Sequence, residues 1–139
     1  MRWDDVLTAI RAALVADSVV AALYGNSVRL AGDSDYKTPG IELRLLIDSI
    51  DETWEPCTVQ VDQWAETAPE LVAGERAIRK LLDHESPTTI EGVYMWATFL
   101  EGADLGAVAM GPDRGNVFGR AMRFRMMPVR EDQRAGRSA

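Results

Sequence analysis

The run from Ile41 to Glu70, IELRLLIDSIDETWEPCTVQVDQWAETAPE, constrains the fold of this chain more than any other. Ile41, Leu43, Leu45 and Ile47 alternate with Glu42, Arg44 and Asp48, the two-residue period of a half-buried strand. After Asp51-Glu52-Thr53 the alternation resumes, with Cys57, Val59 and Val61 set against Thr58, Gln60 and Asp62. Two such runs so close together predict an antiparallel hairpin with one apolar and one wet face. Thr67-Ala68-Pro69-Glu70 then predicts a helix start. The Thr67 hydroxyl is expected to take the N3 amide, the Glu70 carboxylate to return to the Thr67 amide, and Pro69 to sit where no N–H is needed. Strand, turn, strand and helix in that order leave an apolar sheet face to be covered. The fold class is therefore α+β, a mainly antiparallel or mixed sheet carrying helices on one face.

The covering elements are legible upstream and downstream. Trp3, Val6, Leu7, Ile10 and Leu14 form one helical stripe, with Asp4 and Asp5 near its positive end. Asp17-Ser18 is a second capping pair, followed by Val19, Val20 and Leu23, and Gly25-Asn26 closes that short helix. Val28–Leu30 suits a short strand before the turn-rich loop Ala31–Gly40. Residues 68–83 form the third helix, offering Leu71, Val72, Ile78, Leu81 and Leu82 to the core. Glu75 pairs with Arg79 at i, i+4, and Arg76 and Lys80 form a like-charge pair. His84 follows as a surface or C-cap histidine. Gly92–Leu100 is a strand apolar on both faces: Val93, Met95, Ala97 and Phe99 point one way, Tyr94, Trp96, Thr98 and Leu100 the other. Glu101–Asn116, with four glycines and Pro112, reads as a long loop whose apolar middle, Leu105, Ala107, Val108, Ala109 and Met110, suits packing on a partner. Val117–Val129 closes the fold, with Phe118, Met122, Phe124 and Met126 on one parity and Arg123 and Arg125 on the other. Residues 1–129 are thus expected to form one domain, and residues 130–139 a disordered tail without an apolar anchor.

Charge and composition bound the function classes. The net charge of −7 is uneven: the last 26 residues hold seven arginines against two acids, a net of +5, leaving −12 for the first 113. An acidic chain lacks the basic surface that sequence-independent nucleic-acid binding needs. Cys57 is the only cysteine and falls on the apolar face of its strand, where it acts as a small hydrophobe. No apolar run reaches the ~20 residues of a membrane span, and the N-terminus lacks a signal-peptide core. A soluble protein, intracellular where it is made, is expected. Asp33-Ser34-Asp35 alternates oxygen ligands, but no glutamate follows at calcium-loop spacing, so neither a metal nor a cofactor is expected.

With these elements in place, the chain resembles the tail-terminator and tail-completion proteins of long-tailed phages and gene-transfer particles. The likeness runs from about Val6 to Val129. It is carried by the Ala13-Leu14-x-Ala16-Asp17-x-x-Val20-Ala21-Ala22-Leu23-x-Gly25 cadence and by a strand approached through Pro39-Gly40. A phrase of Val59, Val61, Asp62, Trp64 and Ala65, an Ala77-Ile-Arg-Lys-Leu-Leu82 helix and a terminal strand pair complete it. The 101–116 stretch and the arginine-bearing tail have no counterpart in that pattern. The resemblance implies a structural, non-enzymatic subunit that closes into a homo-oligomeric ring, usually of six. Such a ring caps the tail tube, ends its polymerisation and meets a head-completion or neck protein, while DNA slides through without specific binding. Its place would be the neck end of the virion tail, and the host cytoplasm during assembly. Residues that could meet a neighbouring subunit or partner are Tyr94, Trp96 and Leu100, Arg120, Arg123 and Arg125, the loop residues Asp33, Asp35, Tyr36 and Lys37, and Leu105 and Met110. Three alternatives stay open: a head-completion protein, a peptide-binding module with an open sheet edge, and a small hydrolase using Asp33, Asp35, Asp48 or Asp62. Bound arginines have a plainer use as well, pairing with Glu42, Asp48 or Asp62 across the sheet, where each pair is worth about 0.2–1 kcal/mol.

Overall fold

A computed structural model describes residues 2–32, 39–46, 56–109 and 115–129. Three helices, α1 (Trp3–Ala16), α2 (Ser18–Tyr24) and α3 (Ala68–Leu82), accompany six strands: β1 (Val28–Leu30), β2 (Gly40–Leu46), β3 (Cys57–Ala65), β4 (His84–Ile90), β5 (Val93–Ala109) and β6 (Asn116–Pro128). The strands form one sheet in the order β1-β2-β3-β6-β5-β4, with β1 parallel to β2 and every other pair antiparallel. This is the expected α+β class. The core face is the one the alternation assigns: Ile41 and Leu43, Cys57, Val59 and Val61, Met122, Phe124 and Met126, and Met95 and Ala97 are all buried.

Helix α1 holds the sheet together. Its stripe of Trp3, Val6, Ile10 and Leu14 is at most 1% exposed, and each such side chain is worth about 1.5–3 kcal/mol when taken out of water. The helix touches both β1 and β4, the two ends of the strand order, so the sheet curls around it. A turn of backbone at Asp17 separates α1 from α2, and the Asp17 carboxylate accepts the Val19 and Val20 amides at 3.0 Å. Thr67 caps α3 by accepting the Glu70 amide at 3.3 Å. The Glu70 carboxylate returns to the Thr67 hydroxyl at 2.7 Å, where the sequence suggested the Thr67 amide.

Four further expectations are corrected. The stretch from Glu101 is a continuation of β5 as far as Ala109, paired with β6 back to Asn116. Its glycines do not break the ladder because two register shifts absorb the irregularity, one beside Leu100 and one beside Leu105, where Gly106 takes φ 81°. Residues 84–90 form an edge strand, with His84 opposite Ala97 rather than beyond the helix as a cap. Val72 is 49% exposed and does not join the core. Glu75 and Arg79 do not serve each other: Glu75 accepts from Arg120 at 2.9 Å, and the Arg79 guanidinium lies 3.9 Å over the Phe99 ring.

A buried polar contact ties α2, β3 and α3 together. Gln63, fully buried, accepts the Tyr24 hydroxyl at 2.8 Å and donates to the Leu71 carbonyl at 3.0 Å. Burial, aided by the charge of Glu70, raises the Tyr24 pKa, so the phenol stays a donor. Gly74 makes room for this amide, since a Cβ there would collide with Gln63 Oε1 and lie 3.0 Å from the Tyr24 oxygen.

Candidate interaction surface

Beyond the level of His84, where β4 begins, β5 runs on along β6 as an arm with no strand on its outer side among the described residues, while β3 accompanies β6 on the other side as far as Phe118. Asp83, just before β4, still accepts the Phe99 amide at 3.0 Å, but from Leu100 to Ala109 every residue of β5 is exposed. Four large apolar side chains stand in water there: Leu100 (52%), Leu105 (40%), Val108 (49%) and Phe118 (38%). Leu100 and Leu105 are the extra residues at the two register shifts, which aim them off the regular pleat. The arm's charges are spent on itself and its base. Arg120 bridges Glu75 at 2.9 Å and Asp104 at 3.0 Å, and Arg123 reaches Glu101 at 3.0 Å.

The sheet face away from the helices is a ladder of charge. Glu42 holds Arg29 at 2.5 Å and Arg44 at 2.8 Å. Gln60 donates to Asp62 at 2.8 Å and accepts from Arg123 at 3.1 Å. Asp62 sits opposite Glu42 in the ladder and is buried; burial raises its pKa, and Glu42 adds to the rise, outweighing Gln60, Arg44 and Arg123. Near the far end of the arm, Trp64 of β3 lies on Gly119, opposite Gly106, where a Cβ would overlap its ring.

The predicted residues fall into separate places. Leu100 and Leu105 are on the arm. Tyr94 and Trp96 are half-buried at the start of β5, opposite Thr89 and Met127. Arg123 and Arg125 share the outer face, where Arg125 donates to Thr58 at 3.3 Å. Arg120 does not join them. It lies on the helix side of the sheet, because its opposite neighbours are Gln63 and Asp104 and its partner Glu75 is on α3. The arginines therefore do pair within the sheet, but with Glu101, Gln60 and Thr58 rather than with Glu42 or Asp62. Asp33, Asp35, Tyr36, Lys37, Asp48, Met110 and the tail from residue 130 lie outside the described residues. Sequence reasoning missed Phe118, Val19 and Val72 as exposed apolar residues, while Val108, named with Leu105, is exposed as well. Among the described residues, no three His, Cys, Asp or Glu side chains gather where a metal ion could sit, and no helix is long and apolar enough to cross a membrane.

No protein-family model and no curated protein sequence matches this chain. Among solved structures, the chain is similar to one from the virion of native gene transfer agent (GTA) particle, with a TM-score of 0.60 and 15% sequence identity. The match covers 88% of this chain and 92% of that one. At this identity the likeness is one of fold.

Proposed function

We propose that this chain is a structural subunit of a phage-like particle, a tail terminator whose copies close into a ring on the last ring of the tail tube. There it ends polymerisation and offers its far side to a head-completion protein. The observation that carries the reading is the fold likeness to a gene transfer agent virion chain, which extends over nearly the whole of both chains. The tail-completion cadence in α1 and α2 supports the same assignment from the sequence side. So does the exposed apolar arm, since a monomer gains nothing by leaving Leu100, Leu105, Val108 and Phe118 in water. An acidic subunit also suits a channel through which DNA must slide, because like charge keeps phosphates off the wall. The role asks for shape and adhesion, with no bond made or broken.

The test is to add the purified protein to the tail-tube subunits of its own particle while they polymerise, and to measure tube lengths by electron microscopy. Tubes of bounded length with density at one end are expected. A length distribution that does not respond to the protein refutes termination, and binding to head connectors instead would make it a head-completion protein.

A further inference from the structure

Where α1 gives way to α2 and β4 turns into β5, the surface dips into a cleft of about 330 Å³. Ala16, Leu81 and Ile90 supply apolar lining, and Asp17, His84 and Glu91 supply polar groups. Asp17 accepts the Val19 and Val20 amides through one oxygen, Oδ1. No lysine or arginine among the described residues pairs with Asp17 or Glu91. Glu91 and Gly92 form the two-residue turn between Ile90 and Val93. Glu91 holds φ 45° there, at a position where asparagine, aspartate or glycine is usual. A longer carboxylate is thus placed at the cleft against the turn's own preference.

The last described residue lies close by. Val129 donates its amide to the Tyr94 carbonyl at 2.8 Å, and Tyr94 stands opposite Thr89, which also lines the cleft. Two strand spacings, roughly 10 Å, therefore separate Val129 from Thr89. Beyond Val129, Arg130 is followed directly by the acids Glu131 and Asp132, whereas residues 133–139 carry two arginines and no acid.

We infer that the segment after Val129 folds back within its own chain and seats Arg134 in this cleft. Reach allows it: five residues of extended chain span up to roughly 17 Å, more than the distance from Val129 to Thr89. The chemistry is complementary. An arginine lays its methylene stem along apolar surface such as Leu81 and Ile90, while its planar head takes carboxylates such as Asp17 and Glu91. A second copy's arginine has the same chemistry, but the segment beginning at Val129 is tethered beside the cleft and has the higher effective concentration.

The test is a spin-label measurement on the full chain at low salt. Cys57 is buried, so a nitroxide attached through Ser138→Cys marks the tail alone. The amide signals of Ala16, Asp17, Thr89 and Glu91 should lose most of their intensity. They should regain it in ~1 M salt, where screening acts over about 3 Å. Arg134→Gln and Glu91→Lys should each restore the signals, and urea midpoints close to wild type will confirm that these variants fold. Combining Glu91→Lys with Arg134→Glu should bring the broadening back. Should Glu91→Lys unfold, Asp17→Asn is the milder second variant, since asparagine still caps α2 and the broadening should weaken.

Cleft signals that keep their intensity in the otherwise wild-type chain overturn the inference, as does broadening that Arg134→Gln leaves unchanged. A charge-swapped protein that behaves like its single variants overturns it too. Mixing isotope-labelled chains that lack the nitroxide with unlabelled chains that carry it distinguishes copies. Broadening across chains would mean that a second copy supplies the arginine, which overturns docking within one chain. None of these readouts involves a tail tube, so they leave termination to its own test.

Discussion

Replacing Gly74 by alanine should destabilise the protein by about 2–4 kcal/mol, although alanine is the better helix former by about 1 kcal/mol. The reason is the approach of α3 to β3. An ideal Cβ on Gly74 would overlap Gln63 Oε1 and sit 3.0 Å from both Gln63 Cδ and the Tyr24 oxygen. Gln63 is fully buried and held at both ends, by the Tyr24 hydroxyl at 2.8 Å and the Leu71 carbonyl at 3.0 Å. Overpacking of this kind costs about 1–3 kcal/mol. Moving the amide aside also strands buried donors and acceptors at about 1–3 kcal/mol each, while the helix gains about 1 kcal/mol. The balance is clearly negative. Urea unfolding of wild type, Gly74→Ala, Gln63→Ala and the double variant closes the cycle. On the Gln63→Ala background the methyl enters vacated space, so the cost of Gly74→Ala should fall to within about 1 kcal/mol of zero. A Gly74→Ala protein more stable than wild type would refute the reasoning, because propensity would then outweigh packing. An equal cost on both backgrounds would also refute it, since the clash would lie elsewhere.

Three other outcomes follow from the same contacts. Gly119→Ala should push Trp64 off the strand and cost about 1–3 kcal/mol in urea unfolding, as an overpacked site does. Arg120→Met should cost about 1–3 kcal/mol, because Glu75 keeps its charge with only 16% of its side chain in water; Asp104→Ala, whose carboxylate is 83% exposed, should cost under about 1 kcal/mol. Asp62 gives a pH signature. Its folded pKa is raised above the unfolded value of 3.8, so the folded state binds the proton more readily, and stability falls as pH climbs from about that value through the folded pKa. Asp62→Asn keeps the neighbours Glu42, Arg44, Gln60 and Arg123 but removes the titration, so its advantage over wild type should grow with pH across that window in a series of urea melts.

Much of the scaffold was legible because local pattern and tertiary need agree there. Alternation in β2 and β3 assigned the buried face, and the caps at Asp17 and Thr67 marked where α2 and α3 begin. The arm was not legible. The segment Glu101–Ala109 is mostly Gly and Ala, with Val108 its only β-branched residue, so it becomes a strand because β6 pairs with it. Pro87 hid β4 in the same way, since only an edge position tolerates it. Half of the surface was readable: Leu100 and Leu105 stood out as apolar, and Arg123 took its face from parity. Val72 was misassigned because it adjoins Leu71 on a helix, and periodicity alone does not say which of two neighbours points inward. Arg120 was placed with the wrong company because its true partner, Glu75, lies 45 residues away in sequence.

The way the sheet's margins are finished bears on what the molecule is for. A curled sheet exposes its end strands, and exposed strands invite indiscriminate pairing. Here α1 touches both ends of the strand order, Arg11 fills a carbonyl of β1, and Pro87 with its register shift interrupts β4. Such features commonly discourage edge pairing. The arm is finished differently: its edge beyond Phe99 has no strand beside it among the described residues, and four apolar side chains stay outside the core. Its acids Glu101 and Asp104 pair with Arg123 and Arg120, although Arg120 is shared with Glu75 on α3. Two margins are thus blunted, while the outer edge of β5 beyond Phe99 is left open and carries exposed apolar side chains. Directed association of identical subunits through unlike patches is the geometric condition for a ring, and it can be met without any residue doing chemistry.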